Sequence, residues 1–149
     1  MDSTDQSQSH EGFTESDLVP VAQLCPTLEN PGQRSFHAVV VLVWPFSKLN
    51  RSFSLLLADP DSRLRNHHGQ VRVIFRGPCA EEVARTHVGI GDEITLSLKG
   101  AKWTENENVQ STPGKSLRWQ LQFTNSIKLK VCATLTSTGL KRDMLKYVG

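Results

Sequence analysis

No lysine or arginine occurs before Arg34, whereas six acids do: Asp2, Asp5, Glu11, Glu15, Asp17 and Glu29. All 17 basic residues of the 149-residue chain come from Arg34 onward, where they face nine acids. The front segment, without cations and rich in Ser, Gln, Asp, Glu and Pro, reads as a disordered acidic leader over residues 1–32. The remainder of the chain is basic, which favours an anionic partner. Cysteine is scarce as well. Cys25, Cys79 and Cys132 are odd in number and far apart, so neither a disulfide framework nor a paired-cysteine metal site is suggested, and a reducing compartment is the natural inference. The apolar run "HAVVVLVWPF" stops after about ten residues, half of the roughly 20 that a helix needs to span a bilayer. The start, "MDSTDQSQSHEG", has neither the basic residues nor the apolar segment of a signal peptide. Cytosol or nucleus remains, with no Lys/Arg-rich import cluster to choose between them.

Reactive constellations are missing too. His67 and His68 are neighbours in a loop and read as a solvated turn rather than an acid/base or metal site. "GIGD" lacks the Lys-Ser/Thr ending and the strand-to-helix context of a phosphate-binding loop. Cys79 lies near a helix start, but no His stands near it in sequence, and it reads as a buried or inert thiol. Asp59 and Asp61 flank Pro60 in a turn, with no further carboxylates gathered around them. No catalytic activity, cofactor, metal or small-molecule substrate is expected.

What is present is β patterning. "SFHAVVVLVWPF" is dense in β-branched residues and nearly apolar on both faces, as a central or strongly curved strand is. After the loop "SKLN", "RSFSLLLADP" forms a second strand ended by Pro60. In "QVRVIFRG", Val71, Val73 and Phe75 face one way while Arg72, Ile74 and Arg76 face the other. "GPCAEEVARTHVG" reads as one short helix, with Pro78 near its start, Glu81 and Glu82 in its first turn, and Arg85 and His87 near its end. "DEITLSLKG" comes next as strand four. Beyond the polar loop "TENENVQSTPGKS", "LRWQLQFTNSIKLKV" forms strand five, with Leu117, Trp119, Leu121 and Phe123 on one face and Arg118, Gln120 and Gln122 on the other. Three strands, a helix and two strands are the order of the OB-fold. The expected fold class is therefore all-β with one short helix: a five-stranded Greek-key barrel over residues 33–132, continued by a tail, 133–149, that reads as a truncated linker.

Five pieces, "VVVLVWPFS", "FSLLLADPDSRLR", "GQVRVIFRG", "VGIGDEITLSL" and "STPGKSLRWQLQFT", occur in this order over about Phe36 to Val131. Together they resemble the OB-fold single-strand-binding domain of telomere end-protection proteins, in its fungal form. The resemblance implies binding of the single-stranded G-rich overhang at chromosome ends, a nuclear location, other telomere-complex proteins as possible partners, no cofactor and no catalysis.

Single-strand binders combine basic side chains for phosphates with exposed rings for bases. Arg72 and Arg76 are the candidates for lining the groove. Lys48, Arg51, Lys115 and Arg118 lie in or beside the two loops expected to bracket a ligand. Trp103 comes after Lys99 and Ala101 on the outward parity of strand four and is expected at the mouth of the loop after it. Trp44 and Phe46 flank Pro45 at the end of strand one, with a core plug as the alternative for at least one of them. Phe53, in register with Leu55 and Leu57, and Trp119 are expected in the core. The competing reading is a protein-interaction OB domain of a telomere or replication/repair complex that does not touch DNA; exposed rings beside Arg72 and Arg76 would favour DNA, and an apolar, non-basic groove would favour protein.

Overall fold

The computed structural model describes residues 17–65, 67–105, 117–124, 127–133 and 142–148. Among the described residues eight strands form one mostly antiparallel sheet: β1 (Ser35–Ser47), β2 (Ser52–Ala58), β3 (Gln70–Arg76), β4 (Glu93–Ser97), β5 (Lys102–Glu105), β6 (Trp119–Phe123), β7 (Ile127–Ala133) and β8 (Arg142–Val148). The helix α1 (Pro78–Arg85) lies between β3 and β4, where its Pro start and acidic first turn place it. Across the sheet the order is β5-β6-β3-β2-β1-β4-β7-β8, with β3 and β6 the parallel pair.

The expected fifth strand is divided. Its first half, β6, pairs with β3; its second half, β7, pairs with β4 on the other side of β1. Laid flat, β6 and β7 would be five strand spacings apart, about 24 Å, yet only three residues separate Phe123 from Ile127, a reach of about 14 Å. The sheet must therefore curl until its flanks approach. The result is an OB-like, mostly β architecture in which chain connectivity, rather than a described ladder between β6 and β7, joins the flanks. The described strands thus form one curled sheet in place of five separate barrel strands, with β5 and β8 lying outside the strands expected from sequence.

Curling puts one face inside. Phe36, Ala38, Val40, Phe53, Leu55, Leu57, Val71, Val73, Phe75, Ile94, Leu96, Leu121, Phe123 and Leu129 are all within a single buried cluster, and Phe75 and Phe123 stack across the parallel pair with centroids 5.7 Å apart. The inward alternation read for β2 and β3 is the alternation observed, and in β6 it holds for Leu121 and Phe123; Trp119, expected in the core, is instead half-buried, pairs with Glu105 at the end of the strand and lies outside the core cluster.

The leader is a second correction. Val19, Val21 and Leu24 belong to the core, at 2%, 0% and 1% exposure. The Val19 amide donates to the Ser35 carbonyl at 2.8 Å, Leu18 bridges to Ser35 in parallel, and the short turn Val21–Gln23 packs on β1 and β3. Composition points to disorder across residues 1–32, whereas three apolar side chains suffice to seat residues 18–24 against the sheet; residues 1–16 lie outside the described residues.

Candidate nucleic-acid interface

Two irregularities in β1 decide which rings reach the surface. Val40 pairs with Leu57 but Leu42 pairs with Leu56, so β1 carries one extra residue there, and such a bulge exchanges the inward and outward positions beyond it. Before the bulge Phe36, Ala38 and Val40 are buried; after it Val43 packs on the core, while Leu42 and Trp44 emerge at 47% and 38% exposure. A second register shift between Trp44 and Ser47, around Pro45, brings Phe46 back against the core.

Cross-strand pairing then lines up Lys102, Gln122, Ile74, Ser54 and Trp44 as one row across β5, β6, β3, β2 and β1. Arg72 and Arg76 lie two residues to either side of Ile74 on the same face. The Arg72 guanidinium carbon sits 4.4 Å from the centroid of the Trp44 ring, a cation–π distance. Ile74 and Ser54, though on the outer face, are only 6% and 5% exposed. Arg72 Nε is buried without a hydrogen-bond partner among the described residues. Burial, and secondarily the like charge of Arg76, lowers the pKa of Arg72 from its ordinary value. The side chain stays a cation, one that has given up part of its water and gained a π-face but no carboxylate partner among the described residues.

The other expected residues are placed unequally. Arg76 is exposed and has no ion-pair partner among the described residues. Lys48 is exposed in the turn between β1 and β2, next to Leu49 at 92% exposure. Arg51, in the left-handed region at φ 48°, donates to Glu81 of α1 at 2.6 Å. Arg118 lies over the Trp119 ring at 5.0 Å and 3.6 Å from Glu105. Lys115 falls outside the described residues. Trp103 and Phe46 are both half-buried and packed against the core rather than presented beside Arg72, which for Phe46 is the core-plug alternative. For Trp103 the cause is the turn at Gly100, φ 83°, which ends β4 and starts β5 with a new parity, pairing Trp103 with the fully buried Leu121.

Sequence reasoning does not single out Lys102, Gln120, Gln122 or Leu49. The alternation of β6 already sets Gln120 and Gln122 on the outward face; the missing piece is the neighbour, β5, that completes the row. Elsewhere Cys79 is buried, its thiol donating to the Arg76 and Phe123 carbonyls at 3.3 and 3.2 Å, and burial raises its pKa from the ordinary thiol value. His37 bridges Glu93 at 2.8 Å and Thr95 at 2.9 Å across β1 and β4. No cluster of three His, Cys, Asp or Glu suited to a metal ion occurs among the described residues.

No curated protein matches the chain. Seven chains of solved structures do, among them a crystal structure of fission yeast Pot1 and ssDNA. That match has a TM-score of 0.50 at 14% identity and covers 85% of this chain but 41% of that one. At such identity the likeness shows the fold, and this chain spans less than half the length of its neighbour. By sequence, the family described as Domain of unknown function (DUF8502) matches residues 14–138, most of the chain. The protein is a member of that family.

Proposed function

We propose that the outer face of β1, β2, β3, β6 and β5 binds single-stranded DNA, and that the curled sheet works as an OB barrel in which β6 and β7 together serve as the fifth strand. One observation carries the reading: Arg72, partly desolvated, beside the like charge of Arg76 and without a carboxylate partner among the described residues, rests on the exposed Trp44 ring. A cation so placed is relieved by an anion, and a composite of ring and guanidinium is a surface on which a base stacks. Lys48 and Arg76 supply further charge for phosphates around it. A fold shared with a protein crystallised with ssDNA supports the same reading. The telomeric G-rich overhang is the proposed target, with the nucleus as the place of action and no catalytic role. Leu49, 92% exposed beside Lys48 in the turn between β1 and β2, favours a second reading in which an apolar protein partner docks at that turn.

Titration of single-stranded G-rich repeats against a scrambled strand and against duplex tests the proposal. Binding should be strongest for the G-rich strand and should fall with salt at a log–log slope of about 0.7 per neutralised phosphate. Arg72→Ala with Arg76→Ala should weaken binding and flatten that slope. Trp44→Ala should cost roughly 1–3 kcal/mol with the slope nearly unchanged. Equal binding of duplex, or a double Arg variant that binds as the parent does, would assign the face to a protein partner.

A further inference from the structure

We infer that Gln122, with Lys102 beside it, reads the edge of a purine base on a strand lying across the outer face, and so sets sequence preference while Arg72, Arg76 and Trp44 set affinity. The inference rests on the single-strand reading above. Its ground is the row of cross-strand partners. Gln122 of β6 is the direct neighbour of Ile74 on one side and of Lys102 on the other, while Trp44 ends the same row on β1. Three strand spacings, about 14 Å, separate Gln122 from Trp44. A base stacked at the Trp44–Arg72 end therefore leaves Gln122 free to meet another base of the same strand.

The chemistry of the two ends differs. At the Trp44 end there is a ring and a guanidinium, which accept any base because every base has a π-face. At the Gln122 end there is a carboxamide with donors and an acceptor, next to an exposed ammonium that has donors alone. Neither Gln122 nor Lys102 makes a side-chain hydrogen bond or ion pair with another described residue, so both keep their capacity for a ligand. Gln122 is half-buried beside the covered Ile74, its register partner on β3, so the amide is presented from a paired strand instead of from a loop. An amide pairs in bidentate fashion with the N6/N7 edge of adenine, and a lysine donates to the O6/N7 edge of guanine. Pyrimidines present neither N7 edge. Splayed bases of a single strand expose these edges.

The test compares the full chain with Gln122→Leu and Lys102→Met variants on two unstructured strands of equal length, one purine-rich and one of thymidine alone. Circular dichroism first establishes that each variant is folded. The parent should prefer the purine strand. Gln122→Leu should reduce that preference by roughly 5- to 150-fold, the worth of one bidentate base contact, with affinity for the thymidine strand and the salt slope unchanged. Lys102→Met should also reduce the preference. Uniform weakening on both strands would make these residues backbone contacts and overturn the inference, as would an unchanged ratio in the Gln122 variant. A parent that binds neither strand would remove the single-strand reading itself, a result distinct from either.

Discussion

Leu24→Ala tests whether the acidic front of the chain is part of the folded unit. Leu24 is 1% exposed and sits with Val19 and Val21 in the main core. Removing its isobutyl group forfeits the transfer of those methyl and methylene groups and leaves a cavity, together about 2–5 kcal/mol for a buried Leu. Net stability of a domain is about 5–15 kcal/mol, so this one change takes a large share of it. At roughly 4 °C per kcal/mol for a chain of this size, a 3 kcal/mol loss lowers Tm by about 12 °C. Leu49→Ala is the control: the same atoms are deleted from a side chain 92% exposed in a turn, with an effect within about 0.5 kcal/mol. Urea unfolding with m held common to the variants gives the two losses directly. The docking of residues 18–24 is refuted if Leu24→Ala costs no more than Leu49→Ala.

Other outcomes depend on single contacts. Gly69→Ala should destabilise the β2–β3 connection by about 1–3 kcal/mol, since a Cβ there would run into the Leu64 carbonyl and the Arg65 backbone; chemical denaturation measures it. Cys79 has a raised folded-state pKa, so above the ordinary thiol value the unfolded chain has released a proton that the folded one retains. Stability present below that pH is lost as pH rises toward the folded pKa, and Cys79→Ala should show a shallower decline of Tm than the parent as pH rises above the ordinary thiol value. Glu81→Gln releases Arg51 from its exposed ion pair at a stability cost within about 1 kcal/mol; if the outer face takes a single strand, the variant should bind more tightly and its salt slope should steepen, read by fluorescence anisotropy over a salt series.

The inward faces are legible in the sequence because strand parity is local. Val71, Val73 and Phe75, or Leu121 and Phe123, need only their own alternation to declare a side. Arg72 and Arg76 obey the same rule. Parity fails wherever one residue is inserted, and Trp44 illustrates it: on the parity of Phe36, Ala38 and Val40 it would be buried, and only the Val40–Leu42 bulge turns it out. Nothing in "VVVLVW" marks which residue bulges, because all are apolar. Trp103 fails for a related reason, as a turn at Gly100 resets the count. The division of strand five is a long-range matter, decided by β3 and β4 competing for one segment from opposite flanks. Residues 18–24 are misread by averaging: the acids and polar residues around Val19, Val21 and Leu24 dominate composition, while three buried side chains dominate the energy.

The division of strand five also governs when the molecule can complete its interior. Leu121 and Phe123 belong to β6, Leu129 and Val131 to β7, and all four are buried, so both flanks are filled by one stretch near the end of the chain. As synthesis proceeds from the N-terminus, β1 through β4 emerge first with only residues 18–24 and α1 to cover part of their apolar face. No local helix or hairpin can substitute, since the contacts of β6 with β3 and of β7 with β4 span tens of residues, and such non-local closure is slow. The nascent chain therefore carries a partly uncovered hydrophobic face until residues 119–131 leave the ribosome, and that interval is its period of greatest exposure to aggregation.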